Sequence, residues 1–201
     1  MARQVVAERA NTLRQQRQQV TADALVEAAR RAMIEHGLDV TVDDIARLAG
    51  VGRRTVFRYF ATREDLLRAA LDKSFAAYVS ALPEYGGGDW LEWITQLTLV
   101  SHRSVANAGR LLWELRTRRV PVDTWKGVQR VFDDVTATVW RAAGGGGRPP
   151  RELRQTVAAH LSPMFTQAVL LDAGGTPELA AELAAGAIAA TLRQLLGADR
   201  S

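Results

Sequence analysis

Residues 41–60 read TVDDIARLAGVGRRTVFRYF, and no other twenty residues of the chain carry as many local structural signals. Thr41 and Asp44 stand three apart, the spacing of a reciprocal N-terminal helix cap, with Asp in place of the usual Glu. Gly50 follows as a stop residue that tolerates the left-handed backbone a helix end requires. The pattern predicts a short helix over 42–49, a tight turn, and a second short helix over about 53–60. Two such helices joined by a glycine-bearing turn make a helix-turn-helix. Ala46 falls where the pair crosses, and a larger side chain there pushes the helices apart. Ile45, Ala49, Val51, Val56 and Phe60 have the spacing to fill the core between this pair and a preceding helix.

The charge of the same stretch points to a partner. From Ile45 to Arg63 there is no acidic residue, while Arg47, Arg53, Arg54, Arg58 and Arg63 all fall there. That local excess is larger than the formal +4 of the whole chain. A basic field of this density suits a phosphate-binding surface. The alternative is a solvated, Arg-biased helix face, since all but two of the 26 basic residues, Lys73 and Lys126, are Arg. As a recognition helix, 53–60 enters a major groove by its N-terminal part. Arg53, Arg54 and Arg58 are then placed for base edges, where Arg donates two bonds to guanine. Thr55 and Tyr59 carry hydroxyls for phosphate, the amides beside Thr41 form a second phosphate site at a helix start, and Arg63 clamps a flanking phosphate.

Outward from this core, 22–36 reads as an amphipathic helix with Thr21 as N-cap, an apolar stripe of Leu25, Ala28, Ala29, Ala32 and Met33, and Gly37 as its stop. Residues 1–20 read as a basic arm whose arginines suit minor-groove or backbone contact, or merely solubility. Thr62 and Asp65 repeat the cap spacing and open a helix that runs to about Leu82. After Gly86–Gly88 come helices at about 89–106, 109–119, 122–143, 150–173 and 177–197, with breakers at Gly109, Pro121, Gly144–Gly147 and Gly174–Gly175. No segment alternates in polarity as a strand does. The expected fold is all-α with about nine helices: an arm over 1–20, a three-helix DNA-binding domain over 21–66, and a further helical domain over 67–201.

With 201 residues, 24% charged and 47% hydrophobic, the chain has the composition of an ordinary globular protein, which excludes whole-chain disorder and coiled-coil rods. The absence of cysteine removes disulfide scaffolds, thiolate zinc sites, Fe–S clusters and thiol nucleophiles. The start lacks the unbroken apolar core of a secretory signal, and the uncharged stretch 155–171 is a poor membrane span, so a cytoplasmic protein without a membrane partner is expected. No glycine-rich phosphate loop, nucleophile elbow or His-Glu metal motif occurs, and no enzyme, cofactor or metal site is expected.

Residues 24–67, ALVEAARRAMIEHGLDVTVDDIARLAGVGRRTVFRYFATREDLL, resemble the N-terminal domain of the TetR/AcrR family of bacterial transcriptional regulators. The matching elements are the Ala pair and EHG end of the first helix, TVDDIA, AGV in the turn, TVFRYF, and REDLL opening the fourth helix. The resemblance implies an all-helical homodimer that binds double-stranded operator DNA and responds to a small-molecule effector, whose identity the sequence does not reveal. It adds Gly52 and Phe57 to the DNA-facing positions. Gly52 stands where Ser is frequent and lacks a capping hydroxyl, Arg54 stands where Gly is frequent, Phe57 stands where Tyr is frequent and lacks its hydroxyl, and Arg63 replaces a usual Lys.

Beyond residue 88 no motif is recognisable. Helices 150–173 and 177–197 are the natural dimer pair, with Ala180, Leu183, Ala184, Ala187, Ile188, Thr191 and Leu195 as a small-residue face; packing within one subunit is the alternative. Trp93, Trp113 and Trp140, with Met164 and Phe165, suit a pocket for a flat apolar ligand, or else plain core. His102 and His160 have no carboxylate neighbours in sequence to make a metal site. Taken together these features predict a dimeric, ligand-responsive repressor of a palindromic operator. The rival from another class is a helical small-molecule carrier or enzyme with a vestigial DNA-binding domain.

Overall fold

The computed structural model describes the backbone of residues 2–108, 110–118 and 124–198, and side chains within 15–108, 111–112, 114–115, 117–118 and 126–197. Among the described residues there is no strand. The helices are α1 (Ala2–His36), α2 (Val42–Leu48), α3 (Arg53–Tyr59), α4 (Arg63–Ala81), α5 (Trp90–Ala108), α6 (Arg110–Thr117), α7 (Thr124–Ala142), α8 (Arg151–His160), α9 (Pro163–Gln167) and α10 (Pro177–Ala198). They follow the nine expected rods, except that the rod expected over 150–173 is broken into α8 and α9. Pro163 is the reason. Proline has no N–H to donate inside a helix, so the chain stops at Leu161 and restarts with Ser162 as cap, its hydroxyl accepting from the Phe165 N–H at 3.2 Å. After α9 the helix widens into a π-helical turn over Ala168–Asp172.

The first helix also departs from expectation. It starts at Ala2, so the segment read as an arm continues α1 without a break. No glycine or proline occurs before Gly37, and Gln, Arg, Ala and Leu all favour helix. Thr21 therefore lies inside the helix, not at its start; its hydroxyl donates back to the Arg17 carbonyl at 2.9 Å.

The chain forms two compact units, Met1–Ser74 and Phe75–Ser201, and the division falls inside α4. The core of the first is built from α1 to α4. Leu25, Met33, Ile45 and Leu66 are fully buried, with Ala28, Ala29 and Ala32 on α1 allowing close approach. In the second unit α10 packs along α5 and α8, and α7 packs on α8. Its core is Trp93, Ile94, Leu97, Phe132, Val139, Trp140, Leu153, Val157, Ile188 and Leu192. Each fully buried aliphatic side chain contributes about 1.5–3 kcal/mol. α10 is long and apolar enough to cross a membrane. Its Ala180, Ala184, Ile188 and Leu192, however, are fully buried within the unit, which is the role of a core helix.

Candidate nucleic-acid interface

The helix-turn-helix forms as its spacing predicts. The Thr41 hydroxyl accepts from the Asp44 N–H at 3.2 Å while the Asp44 carboxylate accepts from the Thr41 N–H at 3.1 Å, closing a complete capping box at the start of α2. These bonds from Thr41, with the Arg47 guanidinium one turn on, hold the Asp44 carboxyl below its ordinary pKa. Gly50 takes φ +67°, and the turn is tied by the Val51 N–H donating to the Ala46 carbonyl at 3.0 Å. Ile45, Ala46 and Val56 are buried, while Ala49, Val51 and Phe60 are half-buried at the rim of the core. Gly52 occupies the cap position of α3 and supplies no side-chain bond; the Thr55 N–H donates instead to the Gly52 carbonyl at 2.8 Å.

α3 then presents Arg53, Arg54, Phe57 and Arg58 to solvent, with Thr55 and Tyr59 half-buried. Three of these side chains are held in place rather than free. The Arg53 guanidinium is paired with Asp43 across the turn at 2.8 Å and lies over the Phe57 ring, 5.4 Å from its centre. Arg58 lies over the Tyr59 ring at 5.1 Å. Thr21 on α1, against the opposing effect of burial and with the help of the Arg58 guanidinium, pulls the Tyr59 pKa below its usual value. Phe57, 42% exposed, is a large apolar ring on the outer face of the helix, overlaid by the Arg53 guanidinium. A ring so placed can meet the methyl group of thymine.

Arg63 behaves differently from the other arginines. Its Nε donates to the Val40 carbonyl at 2.7 Å, its Nη2 to the Leu38 carbonyl, and its Nη1 pairs with Glu64. The side chain expected at a flanking phosphate is here a strut beneath the turn that leads into α2. Asp43 and Thr21, in contrast, are partners the sequence reading missed. Asp43 pairs across ten residues and Thr21 reaches a different helix, and nothing local in the sequence marks either contact.

The residues assigned to a ligand pocket are not gathered in one place. Trp93 and Trp140 are core residues whose indole N–H groups donate to the Pro83 and Gly146 carbonyls at 2.9 and 3.1 Å. The Trp113 side chain lies outside the described residues. Met164 lines a small cleft with Leu112, Val128, Gln129, Phe132, Ser162 and Pro163. Phe165 packs instead between two histidines, its ring centre 5.8 Å from His102 and 4.9 Å from His160. His102 is fully buried and was not assigned to the pocket from sequence.

Residues 25–70 match the family described as bacterial regulatory proteins, tetR family. The chain is 42% identical over 73 residues to the HTH-type transcriptional repressor LfrR of Mycolicibacterium smegmatis, covering 34% of this chain and 38% of that one. It spans between about a quarter and two fifths of the length of the curated relatives it matches. In fold it is similar to a TetR-family transcriptional regulator from Streptomyces coelicolor, with a TM-score of 0.67 at 21% identity over 92% of this chain and 83% of that one. It is also similar to the transcriptional regulator FadR of Bacillus subtilis, solved in complex with stearoyl-CoA, with a TM-score of 0.65 at 17% identity over 82% and 96%. Residues 25–70 thus carry the sequence of a tetR-family N-terminal domain, and the chain shares its fold with these solved structures along most of its length.

Proposed function

We propose that the protein is a sequence-specific DNA-binding transcriptional regulator, a dimeric repressor of a palindromic operator that a small-molecule effector releases. The observation that carries this reading is α3, a short helix anchored in the core by Val56, whose outer face displays Arg53, Arg54 and Arg58 beside Phe57. Each subunit lays α3 in a major groove, with half-sites one helical turn or a little more apart. The two-copy arrangement draws support from α10. Leu179 and Leu183 are 40% and 49% exposed on it, and Leu171 in the preceding π-helical turn is 75% exposed. Large apolar side chains left open along one helix are suited to a second copy of the same helix.

Effector control runs through α4, which begins beside the reading helices and ends in the second unit. Within that unit the Tyr78 hydroxyl is 3.0 Å from the Ser101 hydroxyl, and burial pushes the Tyr78 pKa up. That a protein of this fold binds stearoyl-CoA supports a ligand-responsive role. Acting on chromosomal DNA places the work in the cytoplasm.

The test is titration of labelled upstream DNA at several salt concentrations. Affinity is expected to fall steeply with salt and to favour an inverted repeat over scrambled DNA. Joint substitution of Arg53 and Arg58 by Ala is expected to abolish that preference. Salt-independent binding, or equal affinity for all sequences, overturns the reading.

A further inference from the structure

Among the described residues of the second unit, one buried side-chain polar atom is left unused by the packing. His102 on α5 has no solvent exposure, and its Nδ1 lies 2.8 Å from the Thr166 hydroxyl on α9. Its Nε2 is buried and has no hydrogen-bond partner among the described residues. Buried polar atoms are almost always paired, so an orphan of this kind marks a place where something else binds. Around it the chain is built irregularly. α9 is only five residues long, bounded by the break at Leu161–Ser162 and by the π-helical turn over Ala168–Asp172. Single π turns of this sort concentrate at functional sites.

α9 also separates two features that belong together. Met164 faces the cleft whose other walls include Leu112, Val128, Phe132 and Pro163. The next two residues, Phe165 and Thr166, face His102. The cleft measures about 40 Å³, too small for an aromatic ring. To admit one beside His102, α9 has to shift, and the irregular backbone at both of its ends is where such a shift is taken up.

The chemistry of the walls narrows the ligand. Burial, followed by the neighbouring charge of His160, lowers the His102 pKa to about 4, so the ring is neutral at physiological pH and offers no charge to an anion. A hydroxyl group both donates and accepts, and so satisfies Nε2 in either tautomer of the ring. Phe165 is tilted by 52° and 57° against the two imidazoles, an aromatic environment that a further flat ring extends. We propose that His102, Phe165 and His160, with α9 as a movable wall, form a binding site for an uncharged planar aromatic compound that presents a hydroxyl group to His102 Nε2. The proposal deepens the effector reading and rests on it for what the ligand controls.

The experiment uses the full chain with 2-naphthol and, as its counterpart without the hydroxyl, naphthalene. 2-Naphthol is expected to raise the melting temperature and to move the His102 Nε2 resonance in nitrogen-detected NMR of the unaltered protein. In His102→Phe its affinity is expected to drop about tenfold, the loss of one buried hydrogen bond, while naphthalene binding stays within about twofold. Should His102→Phe fail to fold, the nitrogen shift in the unaltered protein decides alone. No binding of 2-naphthol up to millimolar concentration, an unmoved Nε2 resonance, or equal affinity in His102→Phe overturns the site. Operator titration of the same sample is read separately: DNA binding without 2-naphthol binding sinks only the site, and 2-naphthol binding without DNA binding sinks only the repressor reading.

Discussion

The Arg53 guanidinium sits 2.8 Å from the Asp43 carboxylate, joining the first turn of the reading helix to the first turn of the helix before it. Both groups are exposed, so the pair adds little to stability, and its effect is on where Arg53 points. Asp43 keeps the guanidinium over Phe57 and sets a carboxylate beside the groove-facing surface. Asp43→Asn is expected to strengthen binding to random DNA a few-fold, by removing one negative charge near phosphate, and to narrow the ratio of operator to random affinity. Competition binding at fixed salt measures both. An unchanged ratio shows that Asp43 does not position Arg53.

Arg63 supplies a test of strut against clamp. Its fork reaches two carbonyls, Val40 and Leu38, which the compact charge of Lys does not do together. Arg63→Ala is expected to cost about 1.5–3 kcal/mol, the range for a hydrogen bond from a charged group. Arg63→Lys is expected to recover less than half of that. Urea melts read this directly. If Arg63→Lys is as stable as the unaltered chain, Arg63 is not holding the turn.

Acid should weaken the second unit through His102. The folded-state pKa, lowered from 6.5 to about 4, means that the unfolded chain takes up a proton that the folded chain refuses across that window. Stability is therefore complete above about pH 6.5, falls as pH drops toward 4, and levels off below, with a loss of about 3 kcal/mol at 1.36 kcal/mol per unit. His102→Gln, which does not titrate, should show a flatter profile between pH 6.5 and 4.5 in denaturant titrations. Parallel profiles for the two proteins would place the acid sensitivity elsewhere.

Gly145 is required by a neighbour and not by its backbone angles. A Cβ there would overlap the Trp140 ring, which is almost fully buried and anchored through its N–H to the Gly146 carbonyl. Gly145→Ala is expected to cost about 1–3 kcal/mol, as overpacking does, and the cost should shrink when combined with Trp140→Leu. A double-mutant cycle of melting free energies reports the coupling, and strict additivity contradicts the contact.

The proposed dimer face is checked by charge. Leu179→Glu with Leu183→Glu adds four like charges across a two-fold contact and leaves the buried side of α10 untouched. Sedimentation should then give a monomer of unchanged helicity whose operator binding is lost or weakened by more than tenfold, because two linked half-sites bind far better than one. A variant that remains dimeric places the interface on another surface.

What could be read beforehand divides by the range of the interaction. The capping boxes at Thr41–Asp44 and Thr62–Asp65, the left-handed turn at Gly50 and the helix register all depend on residues within four positions of one another, and periodicity exposes them. The break at Pro163 is local too, yet the apolar run on both sides masked it. Arg63 and Arg53 were placed on the DNA side by charge alone, and their partners, Val40, Leu38 and Asp43, come from folding the chain back on itself. The tryptophans misled for a related reason. Bulk and flatness suit core and pocket equally, and only the carbonyls opposite Trp93 and Trp140 separate the two. His102, isolated in sequence, acquires its character from Thr166, which is 64 positions away.

The fourth helix has one more implication. Between Arg63 and Ala81 it contains neither glycine nor proline, and the division between the two compact units runs through it. It is one continuous helix, unlike the glycine run at Gly86–Gly88. Inserting a single residue near Ser74 rotates everything downstream by about 100° and advances it by about 1.5 Å, so deletions and insertions there should be far less tolerated than at Gly86–Gly88. Chain length in this one segment is thus itself under mechanical constraint, whatever residues occupy it.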